Sequence, residues 1–382
     1  MAEAGMKVAI ATTGRFHVLD LARELAALGH EAAFYSLVPK RRTMRFGLPG
    51  EFHHPLLAQA VPWLAIQRFG PSAQRKQWDR RLLERMDGLI ARRLEPCDAF
   101  IGMSGLCVES AKTAKEKYGA RIFIERGSRH ILSQKQILDE LAAIAPQTET
   151  VPAYAVEREL ASYELADVVV VPSQHVVESF LELGFPKERL FKNPYGVDLT
   201  MFQLTPAPAM DPPVIVHVGA WSMRKGCDVL VEAFKRLNMG GTLLHLGAIV
   251  DAPVPEAPFF VHHEPVPQWR LQEFYAKAHV LALASREDGF GMVLSQALAC
   301  GVPVVCTNRT GGSDLKSWLR EPKAITVVKT DDAGGLAKAL KDSLQWSQST
   351  FPSSEVRDLT GDGRNALSWR AYGERYNHRL LG

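Results

Sequence analysis

No stretch of this 382-residue chain approaches the roughly 20 consecutive apolar residues that a membrane-spanning helix needs, so no such span is expected. The opening residues, Met1-Ala-Glu-Ala-Gly-Met-Lys7, lack the pattern of a signal peptide and run straight into an apolar strand. Cysteine is scarce. Cys97, Cys107, Cys227, Cys300 and Cys306 are odd in number and scattered, without metal-ligand spacing, and read as small buried hydrophobes in a reducing cytoplasm. Asp-x-Asp, a pair able to hold a magnesium or manganese ion, does not occur, and no metal is expected. A net charge of +3 is too small for a nucleic-acid binder. Internal repeats and low-complexity tracts are missing. The first loop carries only Gly14, not the Gly-x-Gly-x-x-Gly of a nicotinamide-binding turn, which ranks a plain dehydrogenase last among the readings and leaves no cofactor expected.

What remains is a globular composition, 46% hydrophobic and 23% charged. The length exceeds what one core usually holds, so two domains are expected. Lys7 to Ala11 reads as a strand ending at Thr12-Thr13-Gly14. A helix follows from about Val18 to Leu28, with Leu19, Ala22, Leu25 and Ala26 at helical spacing before Gly29. His30 to Tyr35 reads as a second strand, and this order opens a parallel sheet with crossover helices. Phe100 to Met103, Arg121 to Glu125 and Val168 to Val171 read as further strands, and Val151 to Leu165 as a helix. Pro206, Pro208, Pro212 and Pro213 mark a linker over 200–213. Beyond it come strands at Val214–Val218, Thr242–Leu246, Phe259–Val261, Val280–Ala284, Val302–Cys306 and Ile325–Val328, with a helix over Asp228–Leu237. The expected fold is α/β, two Rossmann-like domains (1–199 and 214–366) facing a central cleft.

The most informative segment is Ser285 to Cys306. A strand runs into Asp288-Gly289-Phe290-Gly291, then a short helix beginning near Met292, then Gly301-Val302-Pro303 and a second strand. Glycines at 289 and 291 let backbone N–H groups approach a ligand closely. The helix start adds orphan donors and a positive dipole end, a seat for an anion or for sugar oxygens. A tight turn packing on a sheet would leave the same trace.

This segment resembles the signature of glycosyltransferase family 4, the retaining, nucleotide-sugar-dependent enzymes of the GT-B fold. Gly289, Phe290, Gly291, Met292, Val293, Ala297, Ala299, Gly301, Pro303, Val304 and Val305 fall in step with the family pattern. Asp288 and Gln296 stand where the family has glutamates. The resemblance implies that the first carboxylate contacts hydroxyls of the donor sugar and that the second position holds the ribose. Aspartate keeps the charge on a shorter arm, and glutamine keeps hydrogen bonding without charge. Glu287 sits one residue early for the first role. Val216 to Gly226 resembles the family's pyrophosphate loop, with Lys225 matching its lysine, Ala220 in place of its arginine, and Arg224 next door. An ordinary charged helix start is the alternative for Arg224 and Lys225. Asn193-Pro-Tyr-Gly196-Val-Asp198 resembles a family turn that feeds the linker, with Asp198 capping it. The final segment, 367–382, resembles the family's terminal helix, which returns to the first domain.

By the same resemblance Gly14 faces the donor phosphates, and a histidine just past a first-domain strand stands near the anomeric carbon. His130 is the candidate, against a structural histidine. Arg126 is its competitor for the cleft, and His17, His53, His54 and Glu125 are less well placed. The implied reaction moves a sugar from a UDP- or GDP-linked donor to a glycan or lipid-linked acceptor, with His130, Asp288 and Lys225 as catalytic residues and no metal. A GT-B epimerase or phosphorylase and a non-catalytic nucleotide-sugar binder are the rivals. Finally, Lys40 to Arg93 holds twelve cations against Glu51, Asp79, Glu84 and Asp87, interleaved with Trp63, Leu64 and Phe69. Two readings stand: a peripheral contact with an anionic membrane, on the inner face of the cell membrane, or a solvated helix face.

Overall fold

The computed structural model describes residues 5–69, 75–209 and 212–382, and no side chain from 67 to 77. Met210 and Asp211 of the linker, and the side chains of Arg68, Phe69, Arg75 and Lys76, lie outside the described residues.

Two parallel sheets form the chain. The first comprises β1 (Lys7–Ala11), β2 (Glu31–Ser36), β3 (His53–Pro55), β4 (Ala99–Met103), β5 (Arg121–Glu125), β6 (Val168–Val171) and β7 (Leu190–Lys192), in the order β3-β2-β1-β4-β5-β6-β7. The second comprises β8 (Val214–Val218), β9 (Thr242–Leu246), β10 (Phe260–His263), β11 (Val280–Leu283), β12 (Val304–Thr307) and β13 (Ile325–Val328), in the order β10-β9-β8-β11-β12-β13. Helices cover both faces of each sheet, so the central strands are rich in buried apolar residues: all four valines of β6 are buried. In each sheet the order reverses beside the first strand, between β1 and β4 and between β8 and β11. The crevice outside the carboxyl ends of those strands is where open α/β sheets bind ligands. The fold therefore points the loop after β1, which holds Gly14, at the loops after β8 and β11.

One apolar core is continuous between the domains. It joins Val8, Ile10 and Phe123 of the first sheet to Val216, Leu281 and Leu283 of the second through Tyr195, Phe290 and Tyr372. Tyr372 belongs to the C-terminal helix Trp369–Leu381, whose first turn is capped by the Ser368 hydroxyl accepting from Ala371 N at 3.1 Å. That helix lies against the first-domain helix His17–Ala27, where His30 Nε2 meets Asn377 Oδ1 at 2.7 Å. Asp198 Oδ1 accepts from Thr200 N at 2.9 Å and so holds the turn that leads into the linker.

Four buried histidines are held strongly to the neutral form. Desolvation, the largest cause in each case, pushes His53, His130, His175 and His217 down to about 4. The unfolded chain takes up protons below about pH 6.5, whereas the folded chain refuses them until about pH 4. Stability is thus fully present above the unfolded value and lost as pH falls across this window. The urea midpoint is expected to be lower at about pH 5 than at about pH 7. Equal midpoints would show that these rings accept protons without cost to the fold.

Candidate functional site

The second-domain side of the cleft is built by two loops clipped together. Arg286 N donates to Arg224 O at 2.9 Å, and the Arg286 guanidinium binds both Asp228 oxygens at 2.7 Å. This bidentate pair places consecutive charges of the two loops opposite each other. Lys225 Nζ lies 2.5 Å from Asp288 Oδ2, and Arg224 Nε lies 2.8 Å from Glu287 Oε2. Burial opposes the charge on both acids, but the adjacent cations outweigh it. Lys225 and then Arg224 hold Asp288 below the usual aspartate value; Arg224 and the Ser128 hydroxyl do the same for Glu287.

Asp288 has a second task. Its Oδ1 accepts from Gly291 N at 3.1 Å, closing the Asp288-Gly-Phe-Gly291 turn before the helix Met292–Ala299. Gly291 has φ of 76°, a conformation that favours glycine. The N–H groups of Met292 and Val293, in the first turn, have no intrahelical acceptor. Gly289 serves a different end from the one its sequence position suggests. A Cβ there would lie 1.7 Å from Gly127 O, so the missing side chain admits first-domain backbone. Ser173 Oγ and His175 Nε2, also of the first domain, reach Gly289 O at 2.6 and 3.2 Å. Phe290 is buried with its ring edge-on to Tyr195, centroids 5.5 Å apart.

Glu287, one position early in the sequence pattern, carries the cross-domain polar contact. It is fully buried, and beyond Arg224 it accepts from Ser128 Oγ at 2.7 Å and Gln134 Nε2 at 3.3 Å. Ala220 offers no cation. It lines a cavity of about 350 Å³ beside Arg224, closed on the first-domain side by Thr148 and Pro152. Gly14 is half-buried at the end of the β1 loop, its N–H 3.4 Å from Thr12 Oγ1.

The histidine expectation is not met by the geometry. His130 caps the helix Ile131–Ile144, and its ring packs between Tyr163 and Phe180 at 5.1 and 4.8 Å. Burial, and then the Arg126 charge, keeps it neutral. Arg126 does not take its place, because it is buried on Glu159 at 2.8 Å, on Arg129 O and on Gln134 Oε1. Besides His175, which bonds Gly289 O directly, His17 is brought towards the loop. Its ring lies 4.3 Å from that of Tyr195, which in turn meets Phe290, and Glu125 Oε2 holds its Nε2 at 2.8 Å. The available signal was its place at the first residue of the helix after β1, beside the point where strand order reverses. His53 instead bonds Ser36 and Thr43, and His54 stacks on Tyr35.

Gln296 is buried on the helix behind the glycine turn, and its Oε1 accepts from the Tyr275 hydroxyl at 3.0 Å. Tyr275 is itself fully buried, so removing that acceptor should cost about 1–3 kcal/mol of stability. In urea unfolding, Gln296→Leu is expected to lose that amount, whereas Gln296→Glu keeps an oxygen for Tyr275 and loses less. Equal losses would show that the Tyr275 contact contributes nothing.

Comparison with known proteins fits this geometry. Residues 212–345 match the family model described as glycosyl transferases group 1. A D-inositol 3-phosphate glycosyltransferase of Xylanimonas cellulosilytica is 30% identical over 234 residues, 54% of this chain and 53% of that protein. A GDP-mannose-dependent alpha-(1-6)-phosphatidylinositol monomannoside mannosyltransferase of Mycolicibacterium smegmatis is 29% identical over 206 residues, covering 47% of this chain and 53% of that one. The chain thus spans about half the length of these curated relatives. In three dimensions it is similar to a sucrose-phosphate synthase from Thermosynechococcus elongatus, with a TM-score of 0.65 at 18% identity over 98% of this chain and 99% of that one. Anabaena HepE in complex with UDP-glucose gives a TM-score of 0.64 at 14% identity, again over 98% and 99%. The fold is GT-B, and residues 212–345, most of its second domain, match the glycosyl transferases group 1.

Proposed function

We propose that this protein transfers a sugar from a nucleoside-diphosphate sugar to an acceptor hydroxyl, with retention at the anomeric carbon, in polysaccharide or glycolipid assembly. The observation that carries this reading is the pair of ion pairs Lys225–Asp288 and Arg224–Glu287 at the start of the helix Met292–Ala299. Lys225, freed from Asp288 by the entering anion, and the helix N-terminus supply the positive charge that a departing diphosphate needs, with Arg224 beside them. A diphosphate engaging Lys225 releases Asp288 to the sugar hydroxyls, so one ion pair divides into two binding functions. Gln296 keeps its amide N–H groups for the ribose. The acceptor's proton passes to the departing phosphate oxygen, and the reading requires neither a metal nor a protein nucleophile. His17, steadied by Glu125, takes the cleft position that the sequence assigned to His130. The relatives' names support a UDP- or GDP-linked donor: one is GDP-mannose-dependent, and one similar structure holds UDP-glucose.

Lys225→Ala removes a charge-assisted partner worth about 1.5–3 kcal/mol, so the dissociation constant for UDP or GDP should rise by about tenfold or more. Isothermal titration of both nucleotides checks this, and an unchanged affinity would move the diphosphate elsewhere. Incubation with the donor sugar alone separates the rivals: an epimerase alters the sugar without acceptor, and a mere binder turns nothing over in either case.

The same proposal places the protein in the cytoplasm, at the inner face of the cell membrane. Among the described residues no helix is long and apolar enough to cross a membrane. The helices Leu57–Phe69 and Arg75–Arg93 pack together and present aromatic–arginine pairs, with Arg85 5.2 Å from the Trp63 ring and Arg81 4.9 Å from that of Trp78. Each cation at an anionic surface is worth about 1 kcal/mol, within reach of a Debye length. Sedimentation with anionic vesicles is expected at low salt, with release at high salt. Protein remaining in the supernatant at low salt would leave this face merely solvated.

A further inference from the structure

The cationic stretch read as one region of sequence divides into two surfaces. The helices above line one cavity. The helix Lys40–Arg45, which follows β2, lines a different one of about 870 Å³, with no residue in common. Its wall is Arg41, Arg42, Met44, Arg45 and Phe46 from the first domain and Trp269 from the second. The cavity lies outside the carboxyl ends of β2 and β10, at the mouth of the cleft. Two contacts hold its walls together. Arg15, next to Gly14, donates to Gln268 Oε1 at 3.0 Å while its guanidinium lies 3.7 Å from the Phe46 ring. Arg45 lies 5.3 Å from the Trp269 ring.

The charge here is unbalanced. Three arginines line the cavity with no carboxylate among the lining residues. None of the three has an acid within ion-pair distance among the described residues, whereas nearby Asp20 is taken by Arg23 at 2.6 Å. The local excess acts on a neighbour: burial first, and Arg42 among the charges, lower the pKa of Arg15. Beside the arginines stand apolar surfaces open to solvent, with Trp269 and Met44 each 54% exposed. Guanidinium forks match phosphate oxygens two at a time, and three together suit a phosphomonoester of about −1.5 to −2 charge better than a single carboxylate.

We infer that this cavity is the acceptor subsite and that it takes a phosphate ester, its phosphate among Arg41, Arg42 and Arg45 and its carbon framework against Trp269. This rests on the transferase reading and names its acceptor class. Both a soluble sugar phosphate and a phospholipid headgroup carry this chemistry. The test uses the full-length protein, glucose-6-phosphate, glucose, inorganic phosphate, and vesicles with and without phosphatidic acid. Glucose-6-phosphate is expected to bind at least about tenfold more tightly than glucose, and the Arg42→Gln/Arg45→Gln double variant to lose that preference. Arg42→Lys/Arg45→Lys, which keeps the charge, should recover part of it, and Trp269→Ala should weaken glucose-6-phosphate more than inorganic phosphate. If phosphatidic-acid vesicles alone bind, and the glutamine variant loses them, the site stands with a lipid source; binding through Trp63 and Arg85 would survive that variant. Melting temperatures check that each variant is folded. The inference is overturned if neither phosphate source is preferred, or if the folded glutamine variant binds as the parent does. Titration with UDP separates the two readings, because loss of UDP binding sinks the donor site and leaves the phosphate result to be judged by itself.

Discussion

The close approach of Gly127 to Gly289 is the constraint from which the site's geometry follows. Backbone meets backbone there because Gly289 has no side chain, and Ser173 and His175 fasten the Gly289 carbonyl from the same side. Two Rossmann-like sheets could face each other in many ways. This contact selects one in which His17 packs on Tyr195, which in turn meets Phe290 of the Asp288 loop. It also explains why apolar packing through Tyr195 and Phe290 runs between the domains without a break. A lone buried glutamate in such an interface would be costly. Glu287 is tolerable because Arg224, Ser128 and Gln134 all serve it, and removing the cation would leave an uncompensated buried charge worth about 3–5 kcal/mol.

Neighbouring carboxylates thereby take different work. Asp288 and Glu287 differ by one position, but the loop delivers their side chains to different partners. Glu287 turns to the first domain and is spent on structure. Asp288 keeps 15% of its side chain exposed, pairs with a lysine and holds the turn before the helix. Only the second has a partner that a diphosphate could take away. That distinction, rather than acidity alone, separates a binding carboxylate from a bracing one.

Strands were the most legible part of the chain. Parallel strands buried on both faces favour apolar residues along their length, so Val168–Val171 shows itself without any partner being known. The Asp288-to-Gly291 turn was legible too, because φ of 76° at Gly291 and a capping carboxylate are local requirements. The histidine was not. His130 lies just past a strand, as the pattern asks, yet its fate depends on Tyr163 and Phe180, which fold over it from far along the chain. His17 gains its position from Glu125 and Tyr195, which lie 108 residues on in the first case and in another element in the second. Nor could composition divide the cations of residues 40–93 into two surfaces, since only β10 and the loop beyond it bring Trp269 to Arg45.

Charge then orders the cleft along its length. At the centre each cation has a carboxylate opposite it, so the pairs are held in place without net charge, and Lys225 exchanges its partner only when a competing anion enters. At the mouth the arginines of the Lys40–Arg45 helix have no such partners among the described residues, and their field extends outward until screened over about 10 Å. An anionic molecule approaching from solvent therefore meets attraction at the rim before it meets the paired charges inside. Nucleotide and acceptor need not compete for the same cations, because Arg224 and Lys225 are engaged from the second domain while Arg41, Arg42 and Arg45 stand on the first. A cleft between two domains allows this division, and a single sheet edge with one helix N-terminus would not.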